Sequence, residues 1–335
     1  MIHLAELLVQ SNDGKTGYLM HTPPMRAELV RLQENIERVI KGKSDIIRNA
    51  IICMLARGHL LLEDVPGVGK TTLAHCLARS LNLSFNRIQF TSDMLPSDIL
   101  GVTVYDSSRH EFEFKPGPLF ANVVVADEIN RTTPKTQSAL LEAMNSAQIS
   151  IDKTTHDLPQ PFIVLATQNP IEFHGTFPLP KSQMDRFMMR LHIGYPAMED
   201  ELRILRDQKT DQGAESLEPV VSIEEITQWQ SEIENVKIEE SLLVYLARIV
   251  QATRQSPHIA LGISIRGALA LRRAAQARAW MAGREYCVPD DVKELIVPVL
   301  AHRILVKDDA DVSGFQHEQE VQVLRNAIAT VNVPL

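Results

Sequence analysis

Only three cysteines occur in 335 residues, at Cys53, Cys76 and Cys287. None has the short spacing of a zinc site, and an odd, sparse set makes no disulfide framework. Buried, neutral thiols in a reducing compartment are the simplest reading. The pair His317-Glu318 opens like a metalloprotease helix, but Val321 stands where the second histidine is needed, which excludes that chemistry. Long apolar runs are missing as well. No stretch of about 18 apolar residues exists, so no membrane span is expected. The first residues lack a basic region followed by a long apolar one, so no signal peptide is evident and a cytoplasmic location is expected. Residues 1–24 are expected to form a flexible N-terminal extension, with Met25 as an alternative start. Positive charge is in deficit, with 34 Lys and Arg against 42 Asp and Glu and a formal net charge of -8. A nucleic-acid binder would show a basic face, so no nucleic-acid partner is expected.

What is present is an ordinary globular mixture, 44% hydrophobic and 23% charged. The length favours about two domains. Between Met25 and Arg57 the pattern is helical, with Leu29, Leu32, Ile36 and Val39-Ile40 at helical spacing and Gly42 as the break. His59-Leu60-Leu61-Leu62-Glu63 then reads as a strand buried on both faces. A Gly-rich turn and a helix over residues 70–81 follow. Further strands are expected at residues 85–90, 122–126, 162–166 and 188–193, with helices between them, notably at 134–145. Alternation of this kind builds a three-layer α/β unit on a parallel sheet. Two hairpins are expected, one pairing residues 102–105 with 111–114, the other 147–151 with 156–158. After Tyr195-Pro196 the strand signals stop, and helices are expected at 198–209, 223–234, 239–255, 266–281 and 289–305. The reading is therefore an α/β domain over residues 25–196 with two hairpin insertions, then a smaller all-α domain over 197–335.

The chemistry starts at Asp64-Val65-Pro66-Gly67-Val68-Gly69-Lys70-Thr71-Thr72, between a strand and a helix. Gly67 and Gly69 let backbone amides turn inward toward phosphate oxygens. The helix start adds its positive dipole end. Lys70 can reach the β- and γ-phosphates, and Thr71 can offer its hydroxyl to Mg²⁺. Asp64 stands where the usual pattern begins with glycine. A plain Gly-rich turn before a helix is the bland alternative. Val123-Val124-Val125-Ala126-Asp127-Glu128 supplies the second half: an apolar strand ending in two carboxylates at the edge where α/β proteins bind ligands. Asp127 would hold the Mg²⁺ shell, and Glu128 would act as general base on the attacking water. Alone, such a pair would only start a loop; behind a phosphate loop it points to ATP hydrolysis.

Asp127-Glu128-Ile129-Asn130-Arg131, the run from Pro134 to Met144, Ala166-Thr167-Gln168-Asn169-Pro170, Pro178-Leu179-Pro180 and Asp185-Arg186-Phe187 follow in this order. On these motifs the chain resembles the MoxR family of AAA+ ATPases. Upstream, residues Phe114 to Phe120 extend the resemblance, and it covers about residues 28 to 305. It implies an AAA+ domain with a helix-2 insert and a pre-sensor hairpin, at the places of the two expected hairpins. It implies that Asn169 is the sensor-1 residue, although an asparagine starting a turn before Pro170 would look the same. It implies that Arg186 is an arginine finger acting on a neighbouring subunit; an Asp185–Arg186 ion pair is the alternative. Arg266, after Gly262-Ile263-Ser264-Ile265, matches sensor 2, with Ile265 in place of the family's proline. Val39, Ile40 and Gly42 resemble the adenine-side segment, with Lys43 where glutamine is usual. Lys181 replaces a usual glutamate, which reverses a charge at the expected subunit interface. Phe173-His174 departs from the usual polar pair.

The resemblance further implies a six-membered homo-oligomeric ring, chaperone-like remodelling or maturation of a partner protein, and a partner with a von Willebrand factor A domain or a related membrane-linked protein. Three other functions compete: a metal-chelatase motor subunit, a nucleotide-gated binding module with little turnover, and a nucleic-acid motor. The match between Asn130 and Met144 favours MoxR over the chelatase, and Glu128 argues against a pure switch. Tyr105, Phe112 and Phe114 on one hairpin, with Ile149 and Ile151 on the other, are more apolar than exposed hairpins need. They are expected either to contact a client or to pack on their own domain or a neighbour.

Overall fold

Apolar runs of four or five residues, too short for helices, form the centre of the molecule. The structure, a computed structural model, describes residues 25–65, 67–152, 154–169, 176–207, 213–307 and 316–334. The N-terminal extension, Pro66, Pro170 and Phe173-His174 lie outside the described residues. Along the chain run β1 (Leu60–Glu63), β2 (Phe85–Gln89), β3 (Gly101–Asp106), β4 (Glu111–Pro116), β5 (Val123–Asp127), β6 (Gln148–Ile151), β7 (Thr154–Asp157), β8 (Ile163–Gln168) and β9 (Met189–Leu191). Five of them make one parallel sheet in the order β2-β5-β8-β1-β9.

Every residue of β1 and β5 is buried, as strands covered on both faces require. Alternate residues serve two cores. Leu60, Leu62, Val123, Val125, Ile163 and Leu165 pack toward helices Ala27–Glu37, Ser44–Leu55 and Lys70–Ser80. Leu61, Val124, Ala126, Val164 and Ala166 pack on the other face with Leu140 and Leu141 of helix Pro134–Ser146. The first core continues without a break into the helical C-terminal half, through Ile226, Trp229, Ile249, Leu271 and Trp280. All three cysteines are buried, and burial raises each thiol to about 12.

Both hairpins form, as β3–β4 and β6–β7. Their apolar groups divide between the two expectations. Ile149 is only 4% exposed and belongs to the second core, with Ile151 half-buried against it. Neither offers a client contact. Phe114 stacks on His156 at 4.1 Å and meets Phe120 at 5.5 Å, which ties the two hairpins together. Tyr105 and Phe112 remain exposed, in a T-shaped pair.

The C-terminal half is not purely helical. Ile259–Leu261 and Leu305–Val306 pair as an antiparallel ribbon. The helix expected over 289–305 breaks into Pro289–Lys293, Ile296–Leu300 and a 3₁₀ turn Ala301–Arg303. Pro298 lacks the N–H that would bond back to Glu294, so the ladder of the first helix is interrupted ahead of it and a new helix runs through it. A further helix, Gln316–Ile328, has no counterpart in the sequence reading.

His59 locks the base of this architecture. Its Nδ1 accepts from Val164 N at 3.0 Å, so its Nε2–H donates to Met144 O at 2.8 Å. A protonated ring could not accept from Val164. Burial pushes His59 down to about 4. Burial and Arg190 push His192 to about 4, and burial with His192 and Arg190 does the same for His317. These folded values lie below the ordinary 6.5, so the unfolded chain binds more protons between pH 6.5 and 4. Stability is therefore present above pH 6.5 and falls as pH drops toward 4. Urea midpoints measured across this window should decline steadily. A His59→Leu variant should start less stable and show a shallower slope, by up to about 1.4 kcal/mol per pH unit.

Candidate functional site

β1 delivers the chain to the phosphate-loop sequence, and helix Lys70–Ser80 carries it away. Gly67 and Gly69 adopt φ of +85° and +91°, conformations that a β-carbon opposes. Lys70 opens the helix, and its Nζ donates to Asp64 O at 2.6 Å. Thr71 Oγ1 faces both oxygens of Asp127, at 3.3 and 3.2 Å. A hydroxyl and a carboxylate so placed are the hard oxygen donors that Mg²⁺ takes, so the pair fits the expected ion.

Asp127 ends β5 and is buried. Thr167 Oγ1 donates to it at 3.1 Å, and Arg87 Nε pairs with it at 2.6 Å. Glu128 follows in the left-handed region, φ +57° and ψ +48°. Residues with side chains rarely adopt this conformation, and surroundings must impose it. Here Thr167 Oγ1 accepts from Glu128 N at 2.9 Å. Gln89 Nε2 donates to Glu128 Oε2 at 2.9 Å, and Arg131 Nε pairs with the same oxygen at 2.9 Å. The carboxylate is thus oriented from two sides. Asn169 is buried directly after β8, which runs between β1 and β5, so it emerges between the phosphate loop and Asp127.

Arg87 and Gln89 were not singled out in the sequence, and Arg131 and Thr167 stood there only as members of the quoted motifs, without a role. A signal existed for two of them. Arg87 and Gln89 alternate about buried Ile88 on β2, in register with Val125 and Asp127.

On the adenine side, Val39 and Ile40 are half-buried, and a β-carbon on Gly69 would stand 4.0 Å from Ile40 Cδ1. Gly42 has φ +67°, a conformation strained for residues with side chains, and a β-carbon there would displace the Asp200 carboxylate. Lys43 Nζ donates to Tyr195 O at 2.8 Å. Asp64 explains its own departure from the glycine pattern. Its Oδ2 accepts from Gly194 N at 2.6 Å and its Oδ1 from Val65 N at 2.9 Å. The side chain ties the phosphate loop to the segment leaving β9.

Arg186 and Arg266 form a second group. Asp185 does not pair with Arg186. It binds Arg303 Nε at 2.8 Å and accepts from Ser264 Oγ at 2.9 Å. Arg186 Nη1 instead donates to Leu141 O at 2.8 Å. Ser264 also caps helix Ile265–Met281, so the exposed Arg266 at its start is fixed to the segment carrying Arg186. Lys181 does not reverse a charge at an open interface. Its Nζ donates to buried Glu320 Oε1 at 2.5 Å, and Glu320 also binds Arg190, which binds Glu63 at 2.9 Å.

The sheet order, the loop at its edge and the helical half define an ATPase of the AAA+ class with a lid. The ATPase family associated with various cellular activities (AAA) matches residues 59–189, and an AAA lid domain matches 251–325. The chain is 47% identical over 302 residues to protein YeaC of Bacillus subtilis, covering 90% of this chain and 93% of that one. It is 38% identical over 309 residues to chaperone MoxR1 of Mycobacterium tuberculosis, covering 89% and 80%. The crystal structure of a candidate ATPase from Cytophaga hutchinsonii matches with a TM-score of 0.83 at 38% identity, over 92% of this chain and 95% of that one. The chain belongs to the MoxR family of AAA+ ATPases.

Replacing Asp64 by alanine would strand the Gly194 N–H and free the loop from β9. The Asp64→Ala variant should lose about 1–3 kcal/mol of unfolding free energy in urea titrations. Its affinity for a fluorescent ATP analogue should fall alongside.

Proposed function

We infer that this chain hydrolyses ATP with Mg²⁺ to drive chaperone-like remodelling or maturation of a partner protein. The observation that carries the reading is the facing of Thr71 Oγ1 and Asp127 across 3.2 to 3.3 Å, with the oriented carboxylate of Glu128 next in the chain. Residues 25–196 form the nucleotide-binding unit and residues 197–335 the lid.

Gly67, Gly69 and Lys70 bind the phosphates by amides and an ammonium. Thr71 and Asp127 hold Mg²⁺, which when bound neutralises phosphate oxygens. Glu128 accepts the proton of the attacking water, in an orientation set by Gln89 and Arg131. Asn169 positions that water, and Val39, Ile40 and Gly42 border the adenine. Arg186 and Arg266 act on a neighbour's nucleotide, stabilising charge on the transferred phosphoryl. The support for this is their fixation to one another through Asp185 and Ser264. A ring of six copies is the assembly proposed, with a von Willebrand factor A domain protein or a related membrane-linked protein as partner. Tyr105 and Phe112 are the exposed apolar groups offered to it.

Lys70→Ala should abolish tight ATP binding in equilibrium titrations. Glu128→Gln should bind ATP with near-parent affinity but turn it over slower by about 10²–10⁴ in phosphate-release assays. Equal turnover by parent and Glu128→Gln would remove Glu128 from the role of base.

A further inference from the structure

Four charges stand in a row between the phosphate loop and the segment that carries Arg186. Glu63 of β1, Arg190 of β9, Glu320 of helix Gln316–Ile328 and Lys181 of helix Lys181–Met184 alternate in sign, each bound to the next. Their side chains are between 2% and 16% exposed. Taking such groups out of water is costly, and apolar side chains of similar volume often serve stability as well or better. Stability alone therefore does not account for the row. Buried ionic groups are best suited to fixing one register among those an apolar contact would allow.

One end of the row lies at the entry of the phosphate loop. Glu63 precedes Asp64, whose carbonyl accepts from Lys70 Nζ at 2.6 Å and whose carboxylate accepts from Gly194 N at 2.6 Å. Arg190 lies on the strand that leads to Gly194, and it binds Glu63 at 2.9 Å. Two adjacent residues at the entry of the loop are thus held from β9. The other end opens the short helix that runs into Arg186. Asp185 N donates to Lys181 O at 3.0 Å, and Arg186 N donates to Gln183 O at 3.1 Å.

Glu320 joins the two ends. Its Oε1 accepts from Lys181 Nζ at 2.5 Å, and its Oε2 binds Arg190 Nη2. The same nitrogen donates to His317 Nδ1 at 2.8 Å, so Arg190 meets the helix at two points one turn apart. With one oxygen committed to each arm, a shift of either arm loads the other. Lys181 belongs to this arrangement. A glutamate at that position, the residue usual in the family, would set two buried carboxylates against each other.

We propose that Glu320 is a positioning residue for ATP turnover. Through Arg190 it sets the phosphate loop of its own subunit, and through Lys181 it sets the segment from which Arg186 serves the neighbour. The inference rests on the shared-site reading above. It adds the group that ties together the two halves held by one subunit.

The test uses full chains in mixtures. A Lys70→Ala subunit offers Arg186 without a phosphate loop that binds ATP tightly, and an Arg186→Ala subunit offers the reverse. Turnover in their mixture comes from sites built by both. Glu320→Gln, which keeps the shape and removes the charge, is placed on one member at a time. On the Arg186→Ala member it should raise KM for ATP by about 2- to 30-fold, the range over which residues of a coupling network act, and leave kcat as in the unmodified mixture. On the Lys70→Ala member it should lower kcat by a similar factor and leave KM. Lys181→Met keeps Arg190 and Glu320 paired and carries the test if Glu320→Gln does not fold. It should lower kcat from the Lys70→Ala member and change neither constant from the other. Unchanged constants in every mixture, or the same loss whichever member carries the change, would make Glu320 a structural residue and overturn the proposal. An unmodified mixture without turnover would reject the shared site and the proposal with it. An active unmodified mixture therefore separates a failure of Glu320 from a failure of the shared site.

Discussion

The negative charge of Asp127 sits at the end of a strand buried along its whole length. A carboxylate in such a place is costly unless hydrogen-bonded and paired. Its partners come from three directions: Thr71 from the helix after β1, Arg87 from β2 and Thr167 from β8. Satisfying this one group therefore fixes the phosphate-loop helix and the strands on both sides of β5 in one register. Thr167 does double duty, since it also accepts the amide of Glu128 and helps hold the unusual backbone there. The edge of the candidate site is the arrangement that satisfies Asp127.

A second constraint sets the lid. Arg303 is buried and bound to Asp185, while Ser264 bonds the other oxygen of the same carboxylate. Nearby, Glu320 of the last helix bridges Arg190 and Lys181, and Arg190 reaches Glu63 just ahead of the phosphate loop. Removing one partner from a buried set of this kind costs about 3–5 kcal/mol, because the remaining charge is left uncompensated. The helical half is thus clamped to the segment carrying Arg186. That clamping holds the segments that carry Arg186 and Arg266 to each other, which is the basis for proposing that they act together on a neighbour.

Local patterns were legible in the sequence, and distant pairings were not. The central strands β1, β5 and β8 were readable because strands covered on both faces are continuous apolar runs. Helix Ile223–Glu234 was readable to the residue, since Ser222 and Glu225 form a reciprocal cap ahead of a periodic stretch. The segment 289–305 was misjudged because its apolar spacing outweighed Pro298, and Gln316–Ile328 was missed because its first turn is polar. That polarity has a cause: His317 and Glu320 face inward to Arg190 and Lys181, more than 120 residues away in sequence. The place of Ile149 was left open because alternation in a hairpin does not reveal which face is covered. Lys181 was read as an interface charge for the same reason; its partner lies in a helix that local patterning did not show. In the candidate site, the loop and the carboxylates stood out by type and spacing, whereas Arg87, Gln89 and Arg131 acquire meaning only from strand register and turn geometry.

The central claim is that one copy supplies the phosphate loop and carboxylates while the next supplies the arginines. It makes turnover a property of the assembly. The direct measurement is ATP turnover per subunit at saturating Mg²⁺-ATP, followed across a dilution series alongside sedimentation of the same samples. The account predicts that turnover per subunit rises with concentration and follows the assembled fraction. Constant turnover per subunit down to concentrations where only monomers sediment would contradict it.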